Sequence, residues 1–304
     1  MLDFRVKSGV WSFHAPFFVL KENMDKEDKK EKKEKMDKNR IKDYLDNLVG
    51  RNNTGVFIKD DPVQFPRRYS DIHDIEIAAF LVATIAWGNR KMILNNANKM
   101  LEMMGRSPYD YVMSGGWEKL DPDKCVHRTF FGRDLKYYCR GMREIYRTDR
   151  ADRTDRADRT NRTNRTNSLE GVFFNEEHDV WRGIEKFREL MAEANGGMYS
   201  KHISNPCCEA PMRGSACKRL HMALRWLVRD DGIVDLGIWK RLKPKDLMIP
   251  LDVHVARVSR ELGLIDRKSN DRTTVELLTA KLREFDREDP VKYDFALFGV
   301  EVME

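Results

Sequence analysis

The sequence predicts an all-α fold. Apolar residues recur at helical spacing in one segment after another, caps and stop glycines bracket those segments, and no convincing strand alternation appears anywhere.

In chain order, residues 21–40 alternate Lys with Glu and Asp and offer almost nothing to bury, so they are expected to be disordered or a solvated helix. Ile41, Tyr44, Leu45 and Leu48 share one face of a helix that Gly50 ends. Pro62 and Pro66 among polar residues predict a loop over 51–70. Asp71 or Asp74 can cap the next helix, 75–87, which is apolar nearly all round and therefore expected at the centre of the core. Gly88 stops it. Ile93, Ala97, Met100, Leu101 and Met104 form the stripe of a helix over 90–104, closed by Gly105. Leu135, Tyr138, Cys139, Met142 and Ile145 carry another over 134–146.

From Arg147 to Asn167 the chain repeats Arg-(Thr/Ala)-(Asp/Asn). Arginine at every third position gives neither a helix stripe nor a strand alternation, so 147–167 is read as a flexible low-complexity insertion in a surface loop. Further on, 179–194 is helical, with Trp181, Ile184, Phe187, Leu190 and Met191 inward and Asn195-Gly196-Gly197 as its stop. A loop over 198–213 leads to a helix over 215–229. Another covers 253–262, closed by Gly263. Thr273 with Glu276 forms a capping box for a helix to Phe285, and Asp289-Pro290 starts the last one, to Phe298. The expected layout is a charged segment 1–40 followed by one two-lobed helical domain, 41–304. Its central lobe covers about 71–250, and its second lobe combines 41–70 with 251–304.

The chain has 304 residues and a formal net charge of +6. Residues 21–40 hold nine Lys/Arg against seven Asp/Glu, and 147–167 hold seven Arg against four Asp, so these two segments carry +5 of that charge. The remainder is close to neutral, and the overall charge is no argument for a basic nucleic-acid-binding surface. The five cysteines are irregularly spaced without a Cys-x-x-Cys pair, which fits reduced thiols better than a disulfide framework or a metal site. No apolar run reaches the length of a membrane span. A cytoplasmic, monomeric protein with no metal, no cofactor and no membrane partner is expected.

The stretch from Gly214 to Leu262 organises the rest. An apolar helix starts beside Lys218, and a second starts at Asp252, directly after Ile249-Pro250-Leu251. A lysine and an aspartate at two helix starts can converge on one cleft. Taken alone, Asp252 reads as a helix cap and Lys218 as a solvated lysine.

Together these residues carry a resemblance. The segment 251–264, LDVHVARVSRELGL, resembles the Asp-x-His-x-x-Arg-Val signature of the helix-hairpin-helix DNA glycosylase superfamily, to which endonuclease III and the oxoguanine glycosylases belong. The segment 214–220, GSACKRL, is similar to the hairpin-then-lysine segment of those enzymes, and 76–101 resembles their early buried helix and following turn. The matches keep the family order and span about 71–264. From Ile41 onward the chain also looks like an uncharacterised bacterial branch of the superfamily, catalogued as domain of unknown function 2400. There are departures. Ala216 stands where the second hairpin glycine is usual, Lys218 and Asp252 lie 34 positions apart, and no cysteine follows Cys217 to build an iron–sulfur cluster.

The resemblance implies base excision on double-stranded DNA, or on another nucleic acid, with a nucleoid-associated location. Such enzymes flip a damaged nucleotide and cut its bond to the sugar. Lys218 matches the lysine that forms a Schiff base, which also gives abasic-site lyase activity. Asp252 matches the carboxylate that stabilises the cationic transition state. Gly214, Ser215 and Ala216 match the phosphate-binding hairpin. Asn89 falls where a polar residue fills the gap left by the flipped base, although it can equally end a helix. Arg257 can reach a phosphate or pair within its own helix, and His254 supports the site without acting as a base. Among Trp87, Trp226 and Trp239, mainly core by their neighbours, one can stack on a base. The alternative is a nucleic-acid-binding protein that keeps the fold without the chemistry.

Overall fold

Local capping sets most of the helix starts. The computed structural model describes residues 38–151, 168–207 and 214–299, without the side chains of 148–151. The chain divides into two compact units, 1–45 and 46–304. In the first, residues 38–45 are helical.

The second unit opens with helical residues 46–52 (α1) and the short helix α2, Gly55–Lys59. Two 3-10 turns follow, Pro62–Gln64 and Pro66–Arg68. Helical turns thus replace the loop expected over 51–70, because each proline occupies a first helical position, where its missing N–H costs nothing. Helix α3, Ile72–Thr84, starts earlier than its apolar run, since Asp71 accepts from the backbone N–H of His73 and Asp74. Its last turn closes at Thr84, ahead of Gly88. Nearly every α3 side chain is buried. Helix α4, Arg90–Met104, has the expected bounds and stripe, with Asn89 as N-cap and Gly105 as C-cap.

After α5, Pro108–Ser114, comes a hairpin of β1, Cys125–His127, and β2, Phe130–Phe131, paired antiparallel with Cys125 opposite Phe131. The sequence reading missed this hairpin because five residues are too few to show an alternation. The architecture is all-α around it. Helix α6, Gly132–Ala151, runs past Tyr146 into the first residues of the arginine repeat. The rest of the repeat, and the expectation of a flexible insertion, lie outside the described residues.

Helices α7, Glu170–Phe173, and α8, Val180–Glu193, pack together, and α8 also packs on α6. Helix α9, Lys218–Val228, starts three residues later than expected and lies along α3. Helix α10 is Val253–Glu261 and α11 is Arg272–Arg283. Asp271, not Thr273, caps α11, accepting from Thr274 N at 3.1 Å while Arg267 holds its carboxylate. The last helix breaks in two: Asp289 caps a 3-10 turn, Pro290–Tyr293, and α12 runs Asp294–Gly299 and packs on α10.

One buried carboxylate ties distant segments together. Glu76 in α3 is fully buried and accepts from Tyr146 Oη (2.8 Å), Leu169 N (3.1 Å), Trp239 Nε1 (2.7 Å) and Ser168 Oγ. Burial raises its proton affinity, and these four donors oppose that. Tyr146 and Ser168 flank the arginine repeat, so a single side chain holds both of its ends.

Candidate functional site

The chain reaches α9 through a short extended rung. Ser215 N donates to Asn205 O (2.8 Å), Arg272 N donates to Gly214 O (2.8 Å), and Ser215 bridges to Asp271. Cys217 then takes a left-handed backbone (φ +46°) that is uncommon for a residue with a side chain, and this turn sets Lys218 at the first position of α9. The end of α3 is fixed beside it: Arg219 Nη1 donates to Thr84 O at 2.7 Å, and the guanidinium lies 5.1 Å from the centre of the Trp87 ring.

Asp252 serves two partners at once. Its Oδ1 accepts from His254 N (3.0 Å) and Val255 N (2.9 Å), capping α10. Its Oδ2 lies 3.4 Å from Lys218 Nζ. The side chains are 28% and 18% exposed, so the pair is half-buried and open to a ligand.

Both residues line a cleft of about 730 Å³, within the range of roughly 300–1,000 Å³ usual for small-molecule sites. Phe57, Trp87, Trp226, Phe295 and Phe298 give it an aromatic lining. Trp87 is braced by His127 edge-on (4.8 Å) and by His202 stacked (5.7 Å). Two further carboxylates line the cleft, Asp61 and Asp294. Burial pushes Asp294 up to about 6, while Arg225, its ion-pair partner, and Lys218 act in the opposite sense. Arg225 also pairs with Asp235 (3.3 Å) and packs over the Phe295 ring (4.3 Å).

The structure therefore brings Lys218 and Asp252 together, with Ser215, Ala216 and His254 on the same cleft. Gly214 is buried, and its carbonyl is used by Arg272. Asn89 spends its carboxamide oxygen on Met92 N (3.2 Å) as the cap of α4. Arg257 is exposed and pairs with Glu261 (2.7 Å) one turn along its own helix. Trp226 and Trp239 are buried, leaving Trp87 as the half-exposed tryptophan of the three. Sequence reasoning missed Asp61, Asp294 and Arg225. Asp61-Pro62 does carry a cap-and-proline signal, but nothing local marks Asp294 or Arg225 as cleft residues.

An all-α protein with one small hairpin, and with a lysine and a carboxylate paired in an aromatic cleft, is the class that fold and site define. The chain belongs to the family described as protein of unknown function (DUF2400), which matches residues 61–303. No curated protein and no solved structure matched it.

Proposed function

We propose that the protein excises bases from nucleic acid, as a glycosylase with Schiff-base lyase activity. The observation that carries this reading is the 3.4 Å approach of Lys218 Nζ to Asp252 Oδ2 inside an aromatic-lined cleft. The resemblance of 251–264 and 214–220 to helix-hairpin-helix glycosylases supports it from the side of the sequence.

Each group has a role that its position suits. A flipped nucleoside entering the cleft displaces water from the ion pair, and a proton passes from the Lys218 ammonium to Asp252. The neutral amine attacks C1′ of the sugar, and the base leaves with the electron pair of the glycosidic bond and takes the proton from Asp252. The attached nitrogen passes its excess proton, by way of Asp252, to the ring oxygen as the C1′–O4′ bond opens to a protonated imine, from which loss of a C2′ proton expels the 3′ phosphate. Asp252, ionised again once it has given that proton to the departing base and held by two backbone N–H groups at a helix start, stabilises the positive charge that then develops on the sugar and the imine.

The test is borohydride trapping on duplexes that carry an abasic site. Wild type is expected to give a covalent adduct. Lys218→Gln abolishes it, and Asp252→Asn lowers its rate at least 100-fold, on the order of removing one electrostatic stabiliser. Equal trapping by Lys218→Gln refutes the assignment. Binding with steep salt dependence and no adduct in any variant would favour the non-catalytic alternative.

A further inference from the structure

Asp61 lies in the wall of the same cleft with 8% of its surface exposed. Its Oδ1 accepts from Val63 N at 2.9 Å and caps the turn Pro62–Gln64. Among the described residues, Oδ2 has no hydrogen-bond or ion-pair partner. Arg225 acts on Asp61 through space but is already engaged by Asp235 and Asp294. Burial holds the Asp61 carboxyl above its ordinary value, against the pull of Arg225, Arg90 and Lys218. On a ligand-sized cleft, an acceptor that no protein group takes up is one that a donor on the ligand can satisfy. Phe57, Pro62, Ile93 and Phe298 line the same cleft, with Arg90 5.6 Å from the centre of the Phe298 ring. A planar group with an N–H on its edge satisfies both features.

We infer that Asp61 selects, at the site proposed above, a base that carries an exocyclic amine, which donates to the free carboxylate oxygen. This inference rests on the base-excision reading. Acidic side chains accept from exocyclic amines, as they do from cytosine N4. Uracil-type bases offer one ring N–H between two carbonyl oxygens, so the same approach sets oxygen against oxygen. A site built around a hydrogen bond rejects ligands that lack the partner far more strongly than a merely apolar pocket does.

The test uses the full chain and duplexes that carry 8-oxoguanine or 3-methyladenine, which bear amines, or uracil or thymine glycol, which do not. Wild type is expected to excise at least one amine-bearing lesion about 100-fold faster than either of the others. Asp61→Asn keeps an acceptor for Val63 N but turns an amide N–H₂ toward the ligand, and the ratio falls to near one. Asp61→Ser, a second capping residue, gives the same collapse if the asparagine variant folds poorly. Trapping on a plain abasic duplex reports Lys218 separately, since no base is present. Wild-type preference for uracil or thymine glycol, or full preference retained in both variants, overturns the inference while leaving the lysine chemistry standing. If no duplex is trapped, the excision reading fails, and calorimetric binding of guanosine against uridine decides Asp61. Discrimination that both variants lose supports it, and equal or absent binding of the two nucleosides overturns it.

Discussion

His221 sits on α9 three positions after Lys218, fully buried, with its ring 4.6 Å from and edge-on to Trp181. Neither ring nitrogen has a partner among the described residues. Burial, aided by Arg272, holds the imidazole down at about 3. The folded state therefore resists a proton that the unfolded chain accepts near pH 6.5, and the associated stability is full above that value and lost as pH falls toward 3. Between pH 7 and pH 5 the loss amounts to roughly 2 kcal/mol. His221→Phe should flatten this part of the denaturation midpoint-versus-pH curve, as urea titrations at both pH values would show. Lys218 and Asp252 were legible in the sequence because each stands at a helix start, next to a motif. Asp61, Asp294 and Glu76 were not, because what distinguishes them is burial by segments far away in the chain. A carboxylate under an apolar cover looks, locally, like any surface acid.

Among the elements, α4 and α8 were read to within a residue at each end, because cap, stripe and stop agree: Asn89 and Gly105 for one, Asp179 and the Asn195 turn for the other. Helix α9 was placed too early because apolar spacing cannot show that Ser215 pairs with Asp271 instead of joining the helix. The α7–α8 contact gives a sharp test. A Cβ at Gly183 would fall 2.5 Å from Phe173 O and 2.7 Å from Phe173 Cα, both backbone atoms that cannot swing aside. Gly183→Ala is therefore expected to destabilise the fold by about 1–3 kcal/mol, despite alanine's better helix propensity. Thermal denaturation decides it. At α10, Asp252→Ala removes both cap and ion pair and should cost about 1 kcal/mol. Asp252→Asn keeps a capping oxygen and should lose a few tenths at most, so the two variants separate stability from chemistry.

At the scale of the molecule, Glu76 joins α3 to Tyr146, to Ser168 and Leu169, and to Trp239. Glu76→Ala leaves these donors buried and unpaired, and a loss of about 3 kcal/mol or more is expected. With both ends of the repeat held by that carboxylate, its length should matter little. Halving the stretch 152–167 that follows α6 changes the closure cost by about 0.6 kcal/mol, a shift in Tm of no more than about 2 °C. A scan of the shortened protein beside the parent checks this. The twofold attachment of Asp252 has a different reach. One oxygen anchors a helix start and the other faces the amine, so a descendant that abandoned the proposed reaction would still be under pressure to keep a capping residue there, aspartate or asparagine, or its helix would fray. The amine at 218 has no comparable duty in the architecture. Under the proposed reaction, lineages that lost it would thus change at position 218 first, before the cap at 252 was lost.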